Sequence, residues 1–134
     1  MADLAINLPA VKAEVEAVFA RYEAALVSND IATLDALFLE SPTTIRYGGA
    51  ENLYGIDEIR AFRAARSPAG LGRRLARTVI TTYGTDFSVA ATLFYRDSAS
   101  GKVGRQMQSW VRTAEGWKVA AAHVSMIAEP DSPA

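Results

Sequence analysis

The chain has 134 residues with a formal net charge of −1, and 50% of them are hydrophobic while 22% are charged. This length is typical of one domain, and the composition excludes a largely disordered or fibrous protein. The near-neutral charge gives no overall attraction to nucleic acid or to an anionic membrane. The sequence has no cysteine, which excludes disulfides and thiolate metal sites, and a single histidine, His123, argues against a zinc site built from protein ligands alone.

The sequence also bears on location and on domain organisation. It has no apolar run near the roughly 18 residues of a membrane span. Its first residues lack the basic start and apolar stretch of a secretory signal, so we expect a cytoplasmic protein. We predict a single domain over residues 1–134, with a folded core at about 10–127 and a loose, proline-containing tail at 128–134.

The first half of the sequence predicts helices. Between residues 9 and 27 apolar residues recur every three or four positions, which is the period of an amphipathic helix. Asn29-Asp30 offers an N-cap for a second, short helix. A strand at 43–47 follows, ended by two glycines. A third helix is predicted at about 57–66, because acids occupy its first turn and arginines lie toward its end.

The second half predicts four strands. Runs of β-branched and aromatic residues at 75–83, 87–95, 103–112 and 117–127 are separated by short turns, as in an antiparallel meander. Helices first and strands afterwards give an α+β fold, with three helices packed on one face of a curved, mainly antiparallel sheet. Since three short helices cannot cover both faces, we expect a homodimer through the outer face of the sheet.

Arginine outnumbers lysine 11 to 3, and six arginines lie between Arg60 and Arg77. This segment lacks the interleaved aromatic residues of a base-stacking surface and the chain is not basic overall, so nucleic-acid binding is disfavoured. We expect most of these arginines to face solvent. Arg63 lies one turn from Ile59 and next to Phe62, which makes it a candidate to point inward toward an anion.

Arg46 and Tyr22 are polar residues at positions predicted to face the core. Side chains alternate along the strand at 43–47, so Arg46 lies opposite to its two neighbours. A buried guanidinium must be paired, either with an acid such as Glu51 or with a ligand carboxylate. Tyr22 is the polar member of the inward stripe of the first helix, either a core tyrosine or a functional phenol. Together they would place an acid beside an anion anchor.

Two further sets of polar residues lie in the predicted strands. Gln106, Gln108 and Trp110 alternate along one face, which either lines a pocket or meets another subunit. His123 is predicted to share a face with Trp117, and a lone strand histidine is more often structural than catalytic. No Gly-x-Ser-x-Gly motif supports a Ser-His-Asp triad.

Several runs of the sequence match a known family pattern. The most specific are Asn52-Leu53-Tyr54-Gly55 and the predicted helix at 59–66, and further matching runs lie at 19–26, 44–48, 78–84, 104–106 and 121–125. Together they resemble the AtzH-like branch of the nuclear transport factor 2-like (SnoaL-like) superfamily, over about residues 11–127. The resemblance implies a cone-shaped domain with a pocket between the helices and the curved sheet.

The resemblance also implies an activity. Members of this branch are associated with oxalurate and cyanuric-acid catabolism, beside an amidase. The implied reaction is the decarboxylating amide cleavage of 1,3-dicarboxyurea to allophanate, with Tyr22 as proton donor and Arg46 as carboxylate anchor. A phenol stays protonated at neutral pH and can donate, while a guanidinium fork binds a carboxylate bidentately.

A dicarboxylated substrate needs a second anchor. Arg63, His123 and Asn52 are candidates, and Gln108 and Trp110 are further expected substrate-binding residues. The chemistry calls for a small anionic substrate and for no metal or organic cofactor. The alternative is a noncatalytic ligand-binding or accessory subunit of the neighbouring amidase, since one fold hosts both kinds of protein.

Overall fold

A computed structural model describes residues 4–130. Three α-helices and six strands are formed within this range, and a short 3-10 turn at Asp97–Ala99 lies between the fourth and fifth strands. In chain order the elements are α1 (Pro9–Val27), α2 (Ile31–Leu37), β1 (Ile45–Tyr47), β2 (Asn52–Tyr54), α3 (Ile56–Ala65), β3 (Arg74–Tyr83), β4 (Phe87–Tyr95), β5 (Lys102–Thr113) and β6 (Gly116–Ala128).

The six strands form one mixed sheet in the order β2-β1-β6-β5-β4-β3. The predicted α+β class and the antiparallel meander of β3 to β6 are confirmed. β1 joins the sheet parallel to β6, and β2 pairs antiparallel with β1 at the edge. β2 was not predicted, because three residues at a sheet edge are too few to show alternation.

The helices cover one face of this sheet, which we call the inner face. α1 buries the stripe that its period predicts, and the N-cap of α2 is confirmed because the Asp30 carboxylate accepts the backbone N–H of Thr33 at 3.2 Å. One row of paired residues crosses all six strands on the inner face; its members are Leu53, Arg46, Ala122, Gln108, Ala90 and Ile80. The two alanines in this row are small and buried in the core.

A β-bulge between β5 and β6 decides which residues face the helices. The register shifts between Ser109 and Trp110, and one residue of β6, Ala120, is left without a partner. Alternation therefore reverses along β6, since a bulge adds one residue to one strand. Trp117 is buried whereas His123 is exposed on the outer face, so the prediction that they share a face is wrong.

The C-terminal end of the described chain is also held against the sheet. β6 reaches Ala128, and the backbone N–H of Glu129 donates to the carbonyl of Gly101 at 2.9 Å. Residues 128 and 129 are thus held, contrary to the predicted loose tail, and residues 131–134 of that tail lie outside the described range. None of the helices within residues 4–130 is long and apolar enough to cross a membrane.

Candidate functional site

Five arginines approach one another on the helix side of the sheet, and we call them the arginine cluster. They come from β1, from α3 and its end, and from the segments before β3 and after β4; they are Arg46, Arg63, Arg66, Arg73 and Arg96. Arg66 is repelled electrostatically by Arg46, Arg63 and Arg96, and Arg96 is repelled by Arg73. Such a concentration of positive charge inside a protein requires anions nearby.

Arg73 is bound by an acid from α1. Its Nε donates to Glu23 Oε1 at 2.8 Å and its Nη2 donates to Glu23 Oε2 at 2.6 Å, which is a bidentate pair. The Arg73 side chain is only 1% exposed and its guanidinium stacks on the Phe94 ring. The expectation that most arginines of this segment face solvent is therefore wrong for Arg73.

Arg46 and Arg63 each have one carboxylate partner. Arg46 Nη1 donates to Glu51 Oε1 at 2.7 Å, and the Arg46 side chain is 12% exposed. Arg63 donates to Asp35 and is buried, as its place on α3 predicts. The Glu51 partner that the sequence offered for Arg46 is thus present, but it engages only one nitrogen of the guanidinium.

Arg66 and Arg96 have no carboxylate partner within residues 4–130. Arg96 donates to the carbonyl of Gly70 at 2.8 Å, whereas Nε and Nη2 of Arg66 are buried without any hydrogen bond. Burial lowers the pKa of the Arg66 guanidinium, and the nearby charges of Arg46 and Arg63 lower it further. An arginine side chain stays charged nonetheless, so two positive charges of the cluster are uncompensated.

Two glutamines of β5 add unpaired donors to the inner face. Gln106 Oε1 accepts Nη2 of Arg73 at 3.0 Å, and Gln108 Oε1 accepts Nε1 of Trp110 at 3.1 Å. A guanidinium and an indole can only donate, so both amide oxygens are fixed as acceptors. The two Nε2 groups are buried with no acceptor, although each glutamine is only 1% exposed.

Tyr22 lies beside Trp110, the indole that donates to Gln108. It is 4% exposed, and its ring centroid is 6.3 Å from those of Phe38 and Trp110. The phenol lies within electrostatic range of Arg66 and Arg96, the two arginines without a carboxylate. A proton donor therefore lies within the positive field of the arginine cluster, which suits an anionic reactant.

The structure separates the predicted site residues into two groups. Tyr22, Arg46, Arg63, Gln108 and Trp110 lie on the helix side of the sheet. The two others do not. Asn52 of β2 is exposed and pairs with Tyr47, and Tyr47 pairs with the exposed His123. These two residues belong to the outer face, so the expectation that they bind the same ligand is corrected.

Sequence reasoning missed Arg66, Arg73 and Arg96 as inward-facing residues. Arg73 and Arg96 lie just outside predicted strands, and Arg66 is the last residue of a predicted helix, where the period no longer indicates the direction of a side chain. The signal available was the abundance of arginine over lysine, since arginine is the preferred cation for planar carboxylate recognition.

A surface groove of about 540 Å³ lies between α2 and the β5–β6 turn, and its wall includes Asp35 and Phe38, which contact Arg63 of the cluster. Its lining mixes acids such as Asp35 and Glu115 with bases such as Lys118, so its charges offset one another. Within residues 4–130, no group of three histidine or acidic side chains is arranged to hold a metal ion. The arginine cluster is therefore the stronger candidate for function.

Three helices on a curved, open, mixed sheet of six strands define a protein of the nuclear transport factor 2-like, cystatin-like fold. The AtzH-like family model matches residues 4–130, and the chain belongs to that family. A search of curated proteins finds no match.

Similar solved structures agree with this assignment. A protein with unknown function from Pectobacterium atrosepticum is 57% identical, with a TM-score of 0.90 over 92% of this chain and 95% of that one. A cystatin-like fold protein from Burkholderia xenovorans is 49% identical, with a TM-score of 0.91 over 95% and 99%. A nuclear transport factor 2-like superfamily protein from Salmonella enterica shares the fold alone, at 24% identity and a TM-score of 0.72 over 91% and 94%.

Proposed function

We propose that this protein is a cytoplasmic decarboxylating amidohydrolase that converts 1,3-dicarboxyurea to allophanate in cyanuric-acid catabolism, beside a pathway amidase. The observation that carries the proposal is a buried Tyr22 within electrostatic range of two guanidiniums that have no carboxylate partner. This arrangement supplies a proton donor and a positive field to a small anion without a metal or an organic cofactor. Membership of the AtzH-like family supports the same chemistry.

In the proposed reaction the bond between one carboxyl carbon and its urea nitrogen breaks. The electron pair of that bond stays on the nitrogen, which takes the proton of the Tyr22 hydroxyl, and carbon dioxide leaves. The nitrogen becomes the terminal amino group of allophanate, and water then returns a proton to the phenolate. The surrounding guanidiniums stabilise the phenolate and the negative charge that develops on the nitrogen.

Arg46 binds the substrate in this proposal by the part of its guanidinium that Glu51 leaves free. Only Nη1 of Arg46 donates to Glu51, and the guanidinium lies over the Phe62 ring with its carbon 5.4 Å from the ring centroid. These contacts hold the plane of the guanidinium in place, which limits the entropy lost when it binds a carboxylate. Arg46 best serves the carboxylate that remains in allophanate, because tight binding of the departing one would oppose its release as carbon dioxide.

A noncatalytic ligand-binding or accessory subunit of the amidase is the second candidate function. The burial of Tyr22 suits this second function as well, because a phenol shielded from water can hold a ligand without converting it. A binding protein would show affinity for a small dianion and no acceleration of carbon dioxide release.

Product analysis separates the two functions. The pathway amidase generates 1,3-dicarboxyurea in situ, and allophanate and carbon dioxide are followed with and without this protein, so that the spontaneous rate is subtracted. We expect acceleration that Tyr22→Phe abolishes and that Tyr83→Phe, a tyrosine on β3, leaves intact. No acceleration by the wild-type protein would contradict catalysis.

A further inference from the structure

We propose that Arg66, together with the amide groups of Gln106 and Gln108, forms a second carboxylate subsite that makes the protein select dianions over monoanions. The inference deepens the proposed function and relies on it for the nature of the ligand. On sequence grounds Gln108 was an expected substrate-binding residue and Gln106 a pocket or interface residue, whereas Arg66 was not a candidate.

The free edge of Arg66 is the edge that binds a carboxylate elsewhere in this protein. Arg73 holds Glu23 with Nε and Nη2, one nitrogen to each carboxylate oxygen. The same two nitrogens of Arg66 are buried and have no hydrogen-bond partner. Leaving such donors unpaired is costly, so a ligand carboxylate in this position would supply the missing acceptors.

Other unpaired groups on the helix side of the sheet are also donors. Of the six buried side-chain polar atoms without a partner within residues 4–130, four are Nε and Nη2 of Arg66 and the Nε2 atoms of Gln106 and Gln108. Both glutamines are fixed in orientation, because their oxygens accept from Arg73 and Trp110. A site that offers donors and lacks acceptors fits an acceptor-only group, which is what a carboxylate is.

The spacing suits a ligand with two carboxylates. Arg46 and Gln108 lie in one row of the inner face with Ala122 between them. Two strand spacings separate their Cα atoms, or about 10 Å, and the residue between them carries only a methyl group. One carboxylate at Arg46 and another at Arg66 and the glutamine amides would offset the net charge of +2 that the five arginines keep after pairing with Glu23, Asp35 and Glu51.

The alternative second anchors are excluded by position or by their partners. Arg63 donates to Asp35 and none of its nitrogens is both buried and unpaired, while His123 and Asn52 lie on the outer face. Arg96 donates to a backbone carbonyl and stacks on Phe94. Arg66 is the member of the cluster whose carboxylate-binding edge is buried and unpaired.

Titration calorimetry with two stable probes tests the subsite. Three atoms separate the two carboxyl carbons of glutarate, as in 1,3-dicarboxyurea. Glutaramate is glutarate with one carboxylate replaced by an amide. We expect wild-type protein to bind glutarate at least about 30-fold more tightly than glutaramate, the lower end for losing one buried charge partner. Equal binding of the two probes, or no binding of either, would overturn the inference.

Two substitutions at the same position sharpen the result. Arg66→Gln should remove the preference for glutarate, and Arg66→Lys should not restore it, because lysine keeps the charge without the planar fork. Arg60→Gln removes an exposed arginine from α3, the helix that Arg66 follows, and should leave the preference for glutarate unchanged. Arg66 follows the last residue of α3, so these changes should preserve the fold, which circular dichroism checks. A preference that persists in Arg66→Gln would contradict the subsite.

The subsite and the proposed function fail in different ways. If carbon dioxide release is accelerated but Arg66→Gln changes neither its KM nor the glutarate preference, the reaction stands and the subsite is wrong. If no reaction is accelerated but glutarate binding depends on Arg66, the subsite stands as part of a dianion-binding protein.

Discussion

Tyr22 distinguishes a catalyst from a binding protein. Tyr22→Phe keeps the ring that packs against Phe38 and Trp110 and removes one hydroxyl, so the free energy of unfolding should change by only about 1 kcal/mol. If the hydroxyl protonates the departing nitrogen, kcat should fall by roughly 10²–10⁴-fold. Glutarate affinity should change little, because the guanidiniums remain. Full activity in Tyr22→Phe would assign the proton transfer to another group.

Arg46 calls for a paired substitution, because it already has a partner. Removing Arg46 alone leaves the Glu51 carboxylate, whose side chain is 20% exposed, without its cation. The double variant Arg46→Met, Glu51→Gln removes both charges and isolates the contribution to the ligand. We expect its glutarate affinity to fall by about 2–5 kcal/mol while its Tm stays near that of the wild type.

Glu51→Gln alone is the informative control for that pair. It releases Arg46 from its protein partner, so glutarate should bind at least as tightly as to the wild type. A double variant that binds glutarate normally, or a Glu51→Gln protein that loses binding, would assign Arg46 to the fold and not to the ligand.

At the scale of elements, the pairing of β4 with β5 positions the aromatic ring on which two arginines of the cluster stack. Gly104 pairs with Phe94, whose ring carries the guanidiniums of Arg73 and Arg96. A Cβ on Gly104 would lie 2.1 Å from Cζ of Phe94, a ring that is 1% exposed and has no free space to enter. The absence of a side chain at Gly104 therefore fixes the ring and, through it, two cations.

Gly104→Ala should consequently disturb both stability and binding. We expect a loss of about 1–3 kcal/mol in the free energy of unfolding, as for other overpacked cores, together with weaker glutarate binding. Gly49→Ala is the control, because a Cβ there meets nothing within 4 Å. Denaturant unfolding and calorimetry measure the two effects, and a Gly104→Ala protein as stable as the wild type would contradict the account.

Glu14 connects α1 to the sheet and makes that contact sensitive to acid. Its carboxylate accepts from Arg112 and from Nε1 of Trp117, the latter at 3.0 Å. The hydrogen bond from Arg112 is the main cause that lowers the pKa of Glu14 from its ordinary value of 4.5, and the bond from Trp117 adds to it. Because the folded pKa is below the unfolded one, this contribution to stability is complete above about pH 4.5 and is lost as the pH falls through the folded pKa.

Thermal unfolding as a function of pH tests this contact. Glu14→Gln should lower the Tm at pH 7, and its difference from the wild type should shrink as the pH is lowered below about 4.5. Glu16→Gln removes another acid from the same helix and should leave the Tm at pH 7 unchanged. A Glu14→Gln protein whose Tm difference grows in acid would have the wrong sign for this mechanism.

The sequence predicts long periodic elements better than it predicts the site. α1 and β4 begin and end at the predicted residues, because an uninterrupted apolar pattern marks each of them. The inward positions of Tyr22 and Arg46 follow from the same periods. The bulge at Ala120 has no sequence signal. Because it adds one unpaired residue to β6, the face predicted for His123 from simple alternation was wrong. Arg66 lies past the end of α3, where its direction depends on tertiary packing.

At the scale of the whole molecule, the outer face of the sheet is the surface that the fold leaves uncovered. A row of paired residues crosses all six strands there; its members are Asn52, Tyr47, His123, Met107, Ala91 and Val79. Met107 and Val79 are 56% and 58% exposed, and Tyr47 adds an exposed ring that touches His123 edge-on. Apolar residues so exposed on a broad sheet favour contact with another protein surface.

We therefore predict a homodimer formed by the outer faces of two sheets. Light scattering and sedimentation should give twice the mass of the chain at micromolar concentration. Met107→Glu places a charge at the centre of the row and should produce monomers, because burying an unpaired carboxylate opposes association. Val27→Glu, which changes an exposed apolar residue at the end of α1, should remain dimeric. A monomeric wild-type protein, or a dimer unaffected by Met107→Glu, would exclude this interface; retention of the glutarate preference in monomeric Met107→Glu would show that each arginine cluster works within a single chain.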